Sequence, residues 1–231
     1  LELPYVNMKE SSRLKLKTFY EVSNNKSLGK YSFEYNENNK LPSKNSKKQD
    51  YWGYFNNNTS NSLIPKGYRH GKSFSGADRS PNEEKMKTWM LKKITYPTGG
   101  SSDISYKINK YLDKEYNIEH SIGGLRVHRI ITNDSNNIKN YLYSDGRTVH
   151  FLDTNWWRHF QSDSHFFHYL NRVLSDFMFI KRSSSNMFPM LKTNGGWVGY
   201  GKVTVEESTN GKTEYEFTNS KDFSNIQSNK I

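Results

Sequence analysis

Apolar and polar residues alternate with a period of two over much of the chain. In RLKLKTFYEV, residues 13–22, Leu14, Leu16, Thr18, Tyr20 and Val22 fall on one side, and Lys15 and Lys17 on the other. In KYSFEYN, Tyr31, Phe33 and Tyr35 share a side opposite Ser32 and Glu34. This pattern predicts half-buried strands joined through the polar turn SNNKSLG, in an antiparallel sheet with one wet face.

Three further segments follow the same grammar. LKKITYPTGGSSDISYKIN, residues 91–109, alternates into Pro97-Thr98-Gly99-Gly100 and out again through Ile104, Tyr106 and Ile108. GGLRVHRIITNDSNNIKNYLYS, residues 123–144, turns at Asn-Asp-Ser-Asn-Asn and leaves through Tyr141 and Tyr143. VGYGKVTVEESTNGKTEYEFTN, residues 198–219, turns at Asn210-Gly211 and leaves through Thr213, Tyr215 and Phe217. Each reads as a hairpin. Their irregular spacing makes a degenerate repeat rather than a solenoid.

The intervening segments differ. Residues 40–67 are rich in Asn, Ser, Lys and Pro and predict an irregular loop. That loop carries an aromatic knot of Tyr51, Trp52, Tyr54 and Phe55. DRSPNEEKMKTWMLK, residues 78–92, predicts a short helix over about 81–91. Ser80 would cap it, Pro81 would be its first residue, and Met86, Trp89 and Met90 would share a face. Apolar residues from Ser164 to Phe179 fit helical spacing and predict a second helix there.

The expected fold is therefore mainly β, antiparallel hairpins with helices at about 81–91 and 164–179. We read residues 1–231 as a single module. It comprises an N-terminal hairpin (1–39), an aromatic, Asn-rich loop (40–77), a helix with hairpins (78–144), a helical aromatic insertion (145–196) and a C-terminal hairpin with tail (197–231). The chain starts at Leu1 without methionine, from which a fragment of a longer chain is expected.

Hydrophobic residues make up only 33%, but aromatics reach 15%, enough bulky rings to build a core. The net charge of +11 admits nucleic acid, an anionic surface or an acidic glycan as partner. The densest basic run, Lys40, Lys44, Lys47 and Lys48, lacks the interleaved aromatics of a single-strand binder, so no specific nucleic acid is expected. No apolar run reaches the roughly 18 residues of a membrane helix. With no cysteine, disulfides, thiolate metal sites and cysteine nucleophiles are excluded.

Catalytic chemistry is sparse. His150, His159, His165 and His168 lie near Asp153 and Asp163. A helix would bring His165 and His168 together, and Asp163 could join them on zinc. No HExxH spacing accompanies them. Glu83-Glu84 and Glu206-Glu207 are sequence neighbours, which do not face each other on a helix or strand, so they make no glycosidase pair. GxSxG, GxGxxG and GxxxxGK[ST] are all missing. The residues predict no enzyme, no cofactor and no resident metal. The site candidates are Tyr51, Trp52, Tyr54, Phe55, Trp156 and Trp157, either as an interface or as a sugar-stacking platform.

QDYWGYFNNN, ADRSPNEEKMKTWMLKKITYPTGGSSDISYK, GGLRVHRI and VGYGKVTVEE with GKTEYEFTN occur in an order that resembles exported and cell-surface proteins of Bacteroidetes carrying RHS or YD repeats. The hairpin ends here read Tyr106-Lys107 and Tyr143-Ser144 in place of Tyr-Asp. The resemblance implies a non-enzymatic module that extends or caps a β-hairpin shell or scaffold, outside the cell or on the outer-membrane surface. Its implied partners are the remainder of its own polypeptide, with other cell-surface or secretion proteins or glycans in second place. A cell-surface carbohydrate-binding module is the alternative.

Overall fold

The computed structural model describes residues 12–24, 26–113, 117–133, 137–148, 161–170, 173–185 and 196–218. Twelve strands run in chain order: β1 (Thr18–Ser23), β2 (Lys26–Tyr35), β3 (Gly67–Arg69), β4 (Lys72–Phe74), β5 (Leu91–Thr95), β6 (Ser101–Asp113), β7 (Ile118–Thr132), β8 (Asn137–Arg147), β9 (Gln161–Leu170), β10 (Val173–Arg182), β11 (Gly199–Glu207) and β12 (Gly211–Glu216). One helix, α1 (Glu83–Met86), precedes β5.

Eight strands form one sheet in the order β1-β2-β5-β6-β7-β8-β11-β12. All seven pairings are antiparallel. The predicted hairpins are present: β1–β2, β5–β6, β7–β8 and β11–β12. The Pro97–Gly100 turn closes through Tyr96 N–H to the Gly100 carbonyl (2.8 Å) and Gly99 N–H to the Tyr96 carbonyl (3.0 Å). β3 with β4, and β9 with β10, make two separate two-stranded ribbons.

The longest strands, β6 and β7, carry the centre of the sheet and a bulge that organises it. Ile108 pairs with Leu125 and Asn109 with Ile122, leaving Gly123 and Gly124 as extra residues. Gly124 has φ of 105°, a conformation that glycine reaches without a Cβ penalty. The bulge frees two backbone donors, and α1 takes both. Ile108 N–H donates to Glu83 Oε2 at 2.9 Å, and Gly124 N–H donates to Met86 Sδ at 3.3 Å. Ile108, Tyr111, Ile122 and Met86 are buried around this junction.

β7 and β8 pair only over 129–132 and 137–140. Beyond that, β8 continues with β11 and turns over the far end of the β6–β7 ribbon. Lys110 N–H donates to Tyr200 Oη at 3.0 Å, and Tyr200 Oη donates to Asn109 Oδ1 at 3.2 Å. The Arg126 guanidinium lies 4.9 Å from the Tyr143 ring and 5.0 Å from the Tyr200 ring. Gly146 backs onto the Lys110 carbonyl so closely that a Cβ there would collide with it. The two halves of the sheet are thus joined by a cation held against two rings and a backbone-to-hydroxyl bond.

Four sequence expectations need correction. Residues 164–170 and 173–179 form strand, not helix: they lie in β9 and β10, paired from Val173–Leu170 to Arg182–Gln161. Contiguous apolar runs such as FMFI satisfy helical spacing as readily as strand spacing, and Phe, Tyr and Val favour strands. The first helix is four residues long, not about eleven, and its N-cap is Asn82, whose side chain accepts Lys85 N–H at 2.9 Å. Trp89 has φ of 63° and donates its N–H to the Asn36 carbonyl at 2.7 Å, so it leaves the face expected to hold Met86, Trp89 and Met90. Finally, Leu14 is 98% exposed and Val22 60% exposed, although alternation placed them on a buried face. β1 has its alternation, but among the described residues nothing covers that side.

Candidate functional site

The aromatic knot occupies a tight loop fixed by one buried carboxylate. Asp50 is fully buried, and its Oδ1 accepts N–H from both Trp52 and Tyr54 at 2.9 Å. Asp50 N–H donates to the Tyr54 carbonyl at 2.8 Å, and Gln49 bridges Phe55. An Asp followed by a glycine at φ of 90°, Gly53, suits this side-chain-closed turn.

Around it lies a frame of polar side chains that bond backbone instead of one another. Arg79 donates to the carbonyls of Asp50 (2.8 Å), Leu63 (3.3 Å) and Ser184 (3.0 Å), and its guanidinium lies 5.1 Å from the Tyr51 ring. The Asn56 amide donates to the carbonyls of Asp78 and Ser80. The Asn58 amide donates to the Lys47 carbonyl at 2.7 Å and the Ser62 carbonyl at 3.3 Å. Asp50, Asn56, Asn58 and Arg79 are all buried. A loop without regular ladders must satisfy its buried carbonyls some other way, and these side chains do it.

The knot docks on the β7 bulge. A Cβ on Gly123 would fall 2.6 Å from Trp52 Cβ and 2.9 Å from both Trp52 Cγ and Tyr54 Cδ2. Only a residue with no side chain lets the two rings lie on the strand. Tyr54 Oη is bonded to the Trp197 side chain, whose indole N–H is the donor. Tyr51 is buried, and its ring meets that of Trp52 edge to face, at 74°. Lys85 Nζ lies 5.8 Å from the Phe55 ring. The four predicted residues of the knot are therefore together and each ring has an internal neighbour; the Tyr51 and Trp52 planes cross, while Tyr54 keeps 36% of its surface exposed.

Burial sets the local electrostatics. It pushes the Asp50 carboxyl from 3.8 up to about 7, against the opposing pull of the Tyr54 and Trp52 N–H groups and Arg79. Burial also raises the Tyr51 hydroxyl and lowers the Arg79 guanidinium. A carboxyl near 7 is the right strength for general acid–base work. Asp50, however, is closed to solvent, so no reactant reaches it.

Trp156, Trp157, His150, His159 and Asp153 lie outside the described residues. Asp163, His165 and His168 are on β9, whose backbone alone is described; the three-residue helical neighbourhood proposed for the two histidines is not formed. No group of three His, Asp or Glu residues suited to a metal ion occurs among the described residues. A surface hollow of about 190 Å³ opens beside Asn36, Lys87, Met90, Ile104 and Tyr106. Its Lys87 Nζ is held by Glu83 at 2.6 Å and Glu84 at 2.9 Å.

The sequence reading did not single out Asp50, Asn56, Asn58 or Arg79. Their only signal is the density of Asn, Asp and Ser beside large rings, which marks a loop needing internal acceptors and donors.

No protein-family model matches the chain, no curated protein matches it, and no solved structure matches its fold.

Proposed function

We propose that this chain is a non-enzymatic structural module, a unit of antiparallel sheet that extends or caps a β-hairpin scaffold of the RHS/YD kind in an exported bacterial protein. The observation that carries this reading is the open meander itself. Eight strands follow one another by antiparallel pairing, and among the described residues no strand pairs with the outer edge of β1 or of β12. Such edges are templates for further strands. Consecutive hairpins on either side would continue the same pattern, and their first partner would be the remainder of the same polypeptide.

The aromatic loop supports the same reading. Its rings pack on Gly123, on Arg79 and on one another, as a plug does. A sugar platform would favour rings that share a plane and face water. The buried Asp50 supports a structural role over a catalytic one. The proposal places the module outside the cell or at the outer-membrane surface, on the resemblance alone.

Hydrogen exchange tests it. The chain is measured alone and within the longer polypeptide this reading places it in. Backbone amides on the outer edges of β1 and β12 exchange fast in the first and slowly in the second. Equal, fast exchange in both would count against the scaffold.

A further inference from the structure

A second bulge, in the middle of the sheet, gathers charges of one sign. β6 and β7 shift register between Ser105 and Tyr106: Ser105 pairs with Arg129, Lys107 pairs with Arg126, and His128 is the extra residue. Ser105 and Lys107 are two apart on an unbroken strand, so they share a side. Their partners Arg129 and Arg126 share it with them. On a regular strand, arginines three apart would point to opposite sides; the bulge brings these two back into phase.

Among the described residues, no carboxylate is paired with them. Lys107 faces Arg126 directly, a like-charge pair that opposes strand pairing. Glu83 lies close enough to Lys107 for its carboxyl to be lowered by it, but its two oxygens go to Lys87 and to the Ile108 N–H. Asp103 is paired with Lys93 at 3.8 Å, and Glu119 with Lys110 at 2.9 Å. Glu206 is one strand further off, across Asn140 from Arg129. The rings of Tyr143 and Tyr200, which flank Arg126, bring no negative charge, because burial raises both hydroxyls. Arg129 Nε is buried and has no hydrogen-bond partner among the described residues. His128 registers the same field: burial lowers it, and Lys107, Arg126 and Arg129 lower it further, against the pull of the Tyr141 backbone.

The cluster is open to a ligand from one direction. Ser105 and Lys107 are exposed, whereas Arg126, His128 and Arg129 are half-buried. Half-buried charges are screened by salt less than those on an open surface. A guanidinium presents a planar fork of donors that matches an oxyanion, and the serine hydroxyl adds one more donor.

We propose that Ser105, Lys107, Arg126 and Arg129 form a binding site for a phosphate dianion, free or carried as a monoester. Three permanent cations on neighbouring strands call for more than one negative charge, and phosphate supplies two in a single group. Binding relieves the Lys107–Arg126 repulsion and gives Arg129 its acceptor. The site goes beyond the scaffold reading and does not depend on it.

Nuclear magnetic resonance on the full, isotope-labelled chain tests this. The probes are inorganic phosphate and glycerol 3-phosphate, with sodium chloride at matched ionic strength as the control. Saturable shifts are expected at Ser105, Lys107, Arg126, His128 and Arg129. Bound phosphate should also move the His128 titration upward, and further than chloride does. Tighter binding of the ester would assign the site to the phosphoryl group of a larger molecule; equal binding would assign it to the free ion. Arg126 also joins the two halves of the sheet, so the variants leave it in place. Lys107→Gln and Arg129→Gln, checked for folding by circular dichroism, should each weaken binding about tenfold, as loss of a charged hydrogen bond does. Lys30→Gln, on β2, should leave it unchanged. Shifts that do not saturate, shifts that chloride reproduces, or folded Lys107 and Arg129 variants that bind as the native chain does would overturn the proposal. The His128 titration needs no variant, and its failure to move with phosphate would overturn it as well.

Discussion

The side chain of Trp52 lies where the side chain of Gly123 would be: a Cβ on Gly123 would sit 2.6 Å from Trp52 Cβ. A loop from residues 40–80 and the central strand of the sheet are fitted to each other at this point. Gly123→Ala therefore forces the knot off β7. The expected cost is about 1–3 kcal/mol, the usual range for overpacking. Denaturant titration gives the loss, and increased quenching of tryptophan fluorescence shows that Trp52 has moved toward water.

Asp50 makes stability depend on pH in an unusual direction. Its folded value, about 7, lies above its ordinary 3.8, so the folded state holds the proton more tightly than the unfolded chain. Its contribution is fully present below 3.8, declines as pH rises, and levels off above about 7. Arg79 and Tyr54 are the titratable groups that interact with it. Other groups pull the opposite way: His128 is lowered by burial and by Lys107, Arg126 and Arg129. The difference between native and Asp50→Asn unfolding free energies isolates Asp50. It should shrink in favour of the variant from about pH 4 to about pH 7 and then stay constant.

Glu83 holds the bulge to α1. Burial would raise its carboxyl, but Lys87 and the Ile108 N–H more than offset that, and the net direction is downward. Glu83→Ala leaves the N–H of the buried Ile108 without this acceptor, at an expected cost of about 1–3 kcal/mol. Glu83→Gln keeps an acceptor oxygen and should cost less. Hydrogen exchange at Ile108 is the local readout: faster in the alanine variant, near native in the glutamine variant.

Arg79 spans three carbonyls from separate parts of the chain, Asp50, Leu63 and Ser184. Lysine presents one point charge and cannot span them. Arg79→Lys should therefore lose most of what Arg79→Met loses, about 1.5–3 kcal/mol by unfolding. If lysine were fully tolerated, the guanidinium fork would not be what holds the loop.

The hairpins could be read from the sequence because each local signal agreed with the next. Alternation around Ile94 and Ile104, a Pro-Thr-Gly-Gly turn and tyrosines on one side all specify the same local geometry. Alternation does not say whether a face is covered, so Leu14 and Val22 were misplaced. Phe177, Met178, Phe179 and Ile180 in a row carry no period, so length and spacing gave a helix where strands formed. That Tyr51, Trp52, Tyr54 and Phe55 cluster was legible from their closeness in sequence. Their frame was not, because bonds from Asp50, Asn56, Asn58 and Arg79 to backbone depend on how the loop is traced in space, which no spacing rule records.

The central claim is that these aromatics hold a scaffold together and do not receive a ligand. Iodide quenching of tryptophan fluorescence, with and without a panel of soluble glycans, tests it most directly. The account predicts shielded tryptophans and no change with any glycan. Accessible tryptophan that a glycan protects, with that protection lost in Trp52→Ala, would contradict it and make the chain a carbohydrate binder.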